Sequence, residues 1–274
     1  MKANEMFNVQ GYGVVITGGA SGLGLAFVEV LAENGARVTM LDISPERVDK
    51  EVKRLRAAGC DVRGAVVDVT RRKDLIAAID AAAAEYGRLD VVFANAGIDS
   101  GPGFVTLDRR KRVPEGAIEN YEDARWDKVI ETNLNSVFTT IKAAAKHMKA
   151  RKSGRIIVTT SVAGLLIESG IGSAYMAAKA GAAHFMRAMA LEMAKYNVTV
   201  NAIAPGPFIT NIGGGHAHRP DVQKAFGSTV PLGRMASTEE IKGLALLLAS
   251  PASSFITGAE IPIDGGCLLG VVYD

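Results

Sequence analysis

A tyrosine and a lysine four residues apart are the pair in this sequence best suited to chemistry. Tyr175 and Lys179 lie in an alanine-rich run with helical periodicity, and residues four apart on a helix share a face. A free tyrosine has a pKa of about 10, so a fixed cation in a poorly hydrated pocket is needed to favour the phenolate near neutral pH. Ser161, which precedes the pair, is able to hold the oxygen of a carbonyl or alcohol. The three side chains together predict proton transfer between C–OH and C=O groups.

The Tyr-x-x-x-Lys spacing alone is weak evidence, because two such residues often share a helix face for packing reasons. The elements that must position them make the prediction stronger. A β-rich run over residues 155–160 delivers Ser161, a glycine-broken loop follows, and the helix that carries Tyr175 begins beyond that loop. This order of strand, loop and helix places all three side chains at one end of a predicted strand.

The first part of the chain has the pattern of a dinucleotide site. A short apolar strand is followed by Gly18, Gly22 and Gly24, and then by apolar residues at helical spacing. Glycines let the backbone approach a pyrophosphate, and the free amides at the start of a helix favour anions. A second apolar strand ends at Asp42, where the ribose of a bound dinucleotide is expected.

Asp42 also bears on the choice of cofactor. A carboxylate accepts hydrogen bonds from two ribose hydroxyls but repels a 2′-phosphate. Ser21 precedes Gly22 in the glycine turn and Ile43 follows Asp42, and neither side chain carries a positive charge. Arg47 is assigned to the solvated face of a helix that begins at Ser44, a residue type that caps helices. The sequence therefore predicts NAD rather than NADP.

Strands and helices continue to alternate along the chain. This alternation predicts an α/β fold, with residues 1–274 in a single Rossmann-type, doubly wound domain whose seven-stranded parallel sheet carries helices on both faces. Ligands of such sheets bind beyond the carboxyl ends of the strands. Residues able to contact such a ligand directly follow five predicted strands: Gly18, Asp42, Asp68, Asn95 and Ser161.

Two segments depart from this alternation. Residues 99–120, which we call the excursion, are rich in Gly, Pro and charge, include a basic run over 109–112, and predict an extended loop insertion. Residues 206–236 contain three successive glycines flanked by apolar residues, and predict a mobile substrate-binding loop or lid. The expected role of the basic run is left open between an anionic substrate tail, another subunit and a solvated face.

Bulk properties exclude several classes of protein. The 274 residues carry a net charge of +2, which selects neither nucleic acid nor membrane. Cys60 and Cys267 are far apart and suggest reduced thiols and a cytoplasmic location. No metal is expected, because His216 and His218 have no Cys or carboxylate clustered beside them.

Taken together, these stretches resemble the short-chain dehydrogenase/reductase family over nearly the whole chain. Residues 17–24 are similar to its cofactor motif. Residues 95–97 match its Asn-Asn-Ala-Gly segment, with Ala94 in place of the first Asn. Residues 205–206 and 264–266 also match. The family's catalytic tetrad corresponds to Asn133, Ser161, Tyr175 and Lys179.

The resemblance implies a role for each of these residues. Tyr175 would be the general acid/base, Lys179 would lower the phenol pKa and bind the nicotinamide ribose, and Ser161 would orient the substrate oxygen. Asn133 would support a water relay. It also implies a homotetramer. The expected cofactor contacts are Gly18, Ser21, Gly22, Leu23, Gly24, Asp42, Ile43, Asp68, Val69, Asn95, Ala96, Gly97, Tyr175, Lys179, Pro205, Gly206, Phe208 and Thr210.

The leading hypothesis is an NAD-dependent dehydrogenase or ketone reductase for a secondary alcohol of a small, mainly apolar, cyclic or aromatic compound. The apolar preference rests on Leu165, Leu166, Ile167, Phe208 and Ile212. An alternative is a 3-oxoacyl thioester reductase whose arginine run meets a phosphopantetheine or CoA carrier, a function that Asp42 disfavours. An alternative of another class is an NAD-binding scaffold or regulator without turnover.

Overall fold

The computed structural model describes residues 2–106 and 110–270. All seven strands lie in one parallel sheet in the order β3-β2-β1-β4-β5-β6-β7, which confirms the predicted fold class. The strands are β1 (Gly13–Thr17), β2 (Arg37–Asp42), β3 (Val62–Val66), β4 (Val91–Ala94), β5 (Gly154–Thr159), β6 (Val198–Pro205) and β7 (Glu260–Ile263).

Helices cover both faces of the sheet. They are α1 (Ala3–Met6), α2 (Gly22–Glu33), α3 (Pro45–Ala57), α4 (Arg72–Tyr86), α5 (Asp123–Ile130), α6 (Ser136–Arg151), α7 (Ser173–Met193), α8 (Pro220–Gly227) and α9 (Lys242–Ala249). Helices α2, α3 and α9 contribute to one apolar core, and α4, α6 and α7 contribute to the other. The strands of the central sheet are apolar on both sides, as a parallel sheet covered twice requires.

Local sequence sets the helix ends that matter for the site. The hydroxyl of Ser44 accepts a hydrogen bond from the backbone N–H of Arg47 at 3.4 Å, and Pro45 occupies the first helical position of α3, a favourable start for a helix. Gly87 ends α4 in the left-handed conformation with φ +66°. The next strand, β4, therefore starts close behind α4.

The segment predicted as one helix over about 121–149 contains a π-helical turn. Helix α5 continues without a break into the turn Glu131–Asn135 and then into α6. Such a turn inserts one residue into the helical ladder and often occurs at a functional site. Asn133 lies in the turn and is fully buried, in agreement with its predicted inward orientation.

Two strands are shorter than the sequence predicts. The strands expected at 62–67 and 89–94 are observed at Val62–Val66 and Val91–Ala94, because strand ends depend on pairing that the local sequence does not specify. In the described parts of the chain, no helix is long and apolar enough to cross a membrane.

The two irregular segments contain more structure than expected. The 206–236 loop is closed at its base by hydrogen bonds between Ile209 and Ala236 and between Ala236 and Pro207, and it includes a 3₁₀-helix at Ile212–His218 as well as α8. The excursion forms a short antiparallel pairing of residues 104–106 with 111–113. Arg109 of the predicted basic run lies outside the described residues.

Candidate active site

The carboxyl ends of three central strands are tied together by Thr17 and Asn95. The hydroxyl of Thr17 accepts hydrogen bonds from the backbone N–H groups of Asn95 and Ala96 at 2.9 and 3.1 Å and donates to the carbonyl of Phe93. The Asn95 amide donates to the Thr17 carbonyl at 2.9 Å and accepts from the Thr159 hydroxyl at 3.0 Å. The side chain of Asn95, predicted as a cofactor contact, thus joins β1, β4 and β5. Thr17 belongs to the motif over residues 17–24 but is not among the predicted cofactor contacts, and its role here is to join the strands.

The turn after β1 has the shape of a phosphate cradle. Gly18 adopts φ +64°, and a Cβ at Gly24 would overlap the carbonyl oxygen of Gly18, so only glycine fits this turn at both positions. Helix α2 begins at Gly22, and the side chain of Ser21 makes no capping hydrogen bond. The amides of the first turn, including that of Leu23, are therefore not capped by this side chain, and such amides bind pyrophosphate oxygens well. The residues fit a dinucleotide.

The carboxylate at the end of β2 is already bonded within the protein. Asp42 is only 6% exposed, and its two oxygens accept hydrogen bonds from the backbone N–H groups of Ala20 and Ser44, each at 3.1 Å. The Arg47 guanidinium lies 3.8 Å from the same carboxylate. Arg47 is exposed, as expected for the solvated face of α3, but the first turn of α3 also brings its guanidinium to the end of β2, a contact that the sequence did not indicate. Ile43 is exposed beside them.

The end of β3 lies next to that of β2. The backbone N–H of Val67 donates to the Asp42 carbonyl at 2.8 Å, which places Asp68 and Val69 beside the predicted ribose site. One Asp68 oxygen accepts hydrogen bonds from the hydroxyl and the backbone N–H of Thr70 at 2.7 and 2.9 Å. These bonds hold the pKa of the Asp68 carboxyl below its usual value. Val69 is buried.

Helix α7 brings the catalytic candidates together behind β5. The Lys179 ammonium is 3% exposed, donates to the Thr159 carbonyl at 2.7 Å, and lies 5.5 Å from the centre of the Tyr175 ring. The hydroxyl oxygen of Ser161 accepts from the backbone N–H of Ala163 at 3.1 Å, and a Cβ at Gly164 would lie 3.0 Å from the carbonyl carbon of Lys179. The turn that begins at Ser161 therefore packs against α7, and three of the four predicted tetrad members lie at the same end of the sheet.

Burial dominates the protonation equilibria of this pair. Removal from water lowers the pKa of Lys179 to about 8, because the charged ammonium is disfavoured there. Burial also raises the pKa of Tyr175, while the interaction with the Ser161 hydroxyl lowers it and the charge of Asp99 raises it. That Lys179 lowers the phenol pKa stays a prediction.

Asn133 binds the backbone that follows β4. Its amide oxygen accepts from the Ile98 N–H and its amide nitrogen donates to the Ile98 carbonyl, each at 2.8 Å. This pairing fixes the segment through Ala96 and Gly97 next to α7, since a Cβ at Gly97 would lie 3.6 Å from the Lys179 ammonium. The observed contacts give Asn133 a positioning role, and its part in a water relay stays a prediction.

The loop after β6 reaches the glycine turn from the other side. A Cβ at Gly22 would lie 3.5 Å from the Cβ of Thr210, so Thr210 borders the cradle. Pro205 ends β6, and the Gly206 N–H donates to the Ile263 carbonyl at 3.0 Å. Phe208 is buried in the apolar core, so most of its ring packs against the protein.

A glycine turn at the carboxyl edge of an open parallel sheet, with a half-buried tyrosine next to a buried lysine, defines an oxidoreductase of the dinucleotide-binding class. A family model described as enoyl-(acyl carrier protein) reductase matches residues 18–267. The chain belongs to the short-chain dehydrogenase/reductase family, whose members bind a nicotinamide cofactor.

Relatives with stated activities cover nearly all of the chain. It is 38% identical over 252 residues to cis-4-hydroxycyclohexanecarboxylate dehydrogenase of Sinomonas cyclohexanicum, covering 92% of this chain and 94% of that protein. It is 34% identical to 3-oxoacyl-(acyl-carrier-protein) reductase of Chlamydia muridarum, covering 92% and 95%. The crystal structure of gluconate 5-dehydrogenase from Burkholderia cenocepacia in complex with NADP and tartrate superposes with a TM-score of 0.86 at 31% identity, covering 98% and 100%.

Proposed function

We propose that this protein transfers a hydride between a nicotinamide cofactor and a secondary alcohol or ketone, with Tyr175 as the general acid/base and NAD as the preferred cofactor. The observation that carries the proposal is the position of the buried Lys179 ammonium, which lies 5.5 Å from the centre of the Tyr175 ring and is anchored on the Thr159 carbonyl. A phenol and a serine hydroxyl at one site hold a substrate oxygen and exchange its proton. The relative that acts on hydroxycyclohexanecarboxylate supports a cyclic secondary alcohol as the substrate.

The proton-transfer roles follow from the hydrogen bonds. Ser161 holds the substrate oxygen next to Tyr175, and its own orientation is set by the Ala163 N–H. Tyr175 takes the proton during alcohol oxidation and returns it during ketone reduction. The bound cofactor supplies the hydride donor or acceptor. Lys179, anchored on the Thr159 carbonyl, presents its remaining N–H groups to the ribose and stabilises the phenolate electrostatically.

The proposed cofactor contacts are grouped by the part of the dinucleotide that they bind. Backbone amides at Ser21, Gly22, Leu23 and Gly24 bind the pyrophosphate. Asp42 binds the adenosine ribose, and Asp68 with Val69 flanks the adenine. The backbone of residues 95–97 and the segment through Pro205, Gly206, Phe208 and Thr210 border the nicotinamide half.

The proposed preference for NAD over NADP is partial. Asp42 is negatively charged and repels a 2′-phosphate, whereas Arg47 at 3.8 Å offsets part of that charge. The NADP complex of the gluconate 5-dehydrogenase relative concerns that protein, but it is compatible with some use of NADP here.

A 3-oxoacyl thioester reductase is the second candidate. The relative from Chlamydia muridarum and the description of the matching family model favour it. Lys111 and Arg112 on the excursion are exposed and are able to meet the phosphate of a carrier arm. Asp42 weighs against it, as biosynthetic reductases generally use NADP.

We also propose a homotetramer in the cytoplasm. Phe138 on α6 and Leu191 on α7 expose apolar surface on the helices where a subunit contact is expected. Cys60 and Cys267 are free thiols, as in a reducing compartment. Light scattering that gives a monomer mass at micromolar concentration would refute the assembly.

The test is Tyr175→Phe combined with a panel of substrates. We expect the wild type to form NADH from NAD and a cyclic secondary alcohol, and the variant to lose this turnover while binding NADH with nearly the wild-type Kd. An acetoacetyl thioester is assayed in the same panel with both cofactors to identify a thioester reductase. Wild-type protein that binds NADH but turns over no member of the panel indicates a non-catalytic scaffold instead.

A further inference from the structure

The segment after β4 crosses the first turns of α7 next to the proposed reaction centre. A Cβ at Gly97 would lie 3.6 Å from the Lys179 ammonium, and a Cβ at Gly172 would overlap the Ser100 hydroxyl. Between these two contacts, Ile98 packs into the same small cluster as Tyr175. Residues 97, 98 and 100 thus contact successive turns of α7, and Asp99 lies on this path beside the turn that carries Tyr175.

This path is held in place on both sides of Asp99. The two hydrogen bonds from Asn133 fix Ile98, and the Tyr121 phenol donates to the Ser100 carbonyl at 3.1 Å. Beyond them, the Gly103 N–H donates to the Gly170 carbonyl at 3.1 Å, which joins the excursion to the loop between Ser161 and α7. A side chain on such a path keeps a fixed position relative to the substrate.

Asp99 offers an unused negative charge at this position. Its side chain is exposed, and one oxygen accepts a hydrogen bond from the Gly101 N–H at 3.1 Å. A carboxylate has about four acceptor positions, and across residues 2–106 and 110–270 Asp99 makes no ion pair. Asp99 adjoins Ile98, which packs in the same cluster as Tyr175, and its charge raises the pKa of the phenols of both Tyr175 and Tyr121.

We propose that Asp99 is a specificity-determining residue that accepts a hydrogen bond from a second hydroxyl of the substrate. The proposal rests on the function proposed above and names the substrate class of that site. The preferred substrates are neutral diols or polyols whose second hydroxyl lies close to the reacting carbon. Substrates with a carboxylate next to that carbon are disfavoured, because two anions would repel each other at close range.

The size of the effect follows from the charge of the acceptor. A site that hydrogen-bonds a substrate hydroxyl rejects the analogue that lacks it, because the buried acceptor is then left without a donor. For a charged acceptor that is still partly solvated, we expect a selectivity of at least about tenfold for a diol over the matching monoalcohol.

The experiment compares matched substrates in matched variants. The ratio of kcat/KM for 1,2-cyclohexanediol to that for cyclohexanol is measured in the wild type, Asp99→Ala and Glu119→Gln, which removes an exposed carboxylate elsewhere on the excursion. We expect the ratio to fall about tenfold in Asp99→Ala and to keep its wild-type value in Glu119→Gln. An unchanged ratio in Asp99→Ala overturns the proposal.

A second pair of substrates tests whether the Asp99 charge repels an anionic substrate. In this test the variant is expected to gain relative activity toward the anion. Mandelate and 1-phenylethanol share a benzylic alcohol and differ by a carboxylate beside the reacting carbon. Asp99→Asn should raise the mandelate-to-phenylethanol ratio, a change that a general structural defect does not produce. A ratio that stays at the wild-type value argues against repulsion by Asp99.

Binding measurements separate this proposal from the proposed function. Titration calorimetry gives the Kd of the diol and of cyclohexanol for each protein in the presence of NADH, with no need for turnover. A wild type without turnover refutes the dehydrogenase, whereas tighter diol binding that depends on Asp99 still supports the subsite. Equal Kd values for the two ligands in the wild type would refute the Asp99 subsite even in an active enzyme.

Discussion

The side chain of Asn133 and the backbone of Ile98 form a two-way hydrogen-bonded pair, with both donor–acceptor distances at 2.8 Å. The pair connects the π-helical turn between α5 and α6 to the segment that follows β4. It therefore couples an irregularity in a long helix to the wall of the active site.

Asn133→Ala should destabilise the protein and disturb the site at once. Removal of the amide leaves the N–H and carbonyl of Ile98 without their partner, at a cost of about 2 kcal/mol. Thermal unfolding should show a lower Tm, and kcat should fall because the backbone next to Tyr175 is released. Asn135→Ala in the same π-helical turn is the control. A wild-type Tm and kcat in Asn133→Ala would show that the pair is dispensable.

Lys179→Met should make the protein more stable while removing activity. The pKa of this buried ammonium falls from 10.5 to about 8, which corresponds to about 3 kcal/mol of destabilisation when the group is charged in both the folded and unfolded states. The Thr159 carbonyl loses its donor, which costs about 1 kcal/mol, so the net gain near pH 7 is about 2 kcal/mol.

The pH dependence of that gain has a definite sign. Below pH 8 the lysine is protonated in both states and its burial is fully unfavourable. Between about pH 8 and 10.5 the folded protein comes to hold the neutral form, so the burial penalty is lost and the variant, which lacks the donor to Thr159, ends about 1 kcal/mol less stable than the wild type. Unfolding in denaturant at pH 7 and pH 10 checks this, with exposed Lys146→Met as the control. A gain that grows with pH would contradict the assignment.

Thr17→Val should weaken cofactor binding by loosening the strand ends. The substitution keeps the shape of the side chain but leaves the N–H groups of Asn95 and Ala96 without an acceptor, at a cost of about 2 kcal/mol. Thr39→Val is the matched control, since it removes a buried hydroxyl that bonds Tyr86 in the same sheet, away from the site. We expect both variants to lose stability, but only Thr17→Val to show a higher Kd for NADH by fluorescence titration.

Arg47→Gln should sharpen the preference for NAD. The arginine lies 3.8 Å from Asp42 and is 46% exposed, so it is free to turn toward a 2′-phosphate. We expect NADPH binding to weaken by about fivefold, comparable to the contribution of an exposed ion pair, with little change for NADH. Lys53→Gln, on the exposed face of the same helix, is the control.

The opposite variant, Asp42→Ala, should relax the preference toward NADPH. Wild-type protein that binds NADPH as tightly as NADH, or more tightly, would refute the proposed NAD preference. A loss of NADH affinity in Arg47→Gln as large as the loss for NADPH would show that Arg47 acts through the fold of α3 and not through the phosphate.

Local patterns in the sequence were sufficient to predict the architecture. Apolar runs with β-branched residues, separated by helical periodicity, predicted a doubly wound parallel sheet, and right-handed crossovers leave few other arrangements. The same patterns predicted which residues follow the strands, because the carboxyl ends of parallel strands share one edge. Gly18, Asp42, Asp68 and Ser161 lie at or just beyond the ends of their strands, as this pattern predicts.

The details that decide chemistry came from contacts between distant parts of the chain. The sequence alone could not show that Arg47 returns to Asp42, since that contact depends on the angle at which α3 leaves β2. Nor could it show that burial has the largest effect on the pKa of Tyr175, because desolvation depends on everything packed around the ring.

Tyr175 and Lys179 show most clearly which properties depend on the sequence and which depend on the tertiary structure. The sequence by itself determined that Tyr175 and Lys179 share a helix face, since that follows from 3.6 residues per turn. Only the tertiary structure decided that the ammonium is anchored on the Thr159 carbonyl and that the charge of Asp99 raises the pKa of the phenol. Helical spacing is a local property of the backbone, whereas the surroundings of a side chain depend on residues that are brought together only when the chain folds.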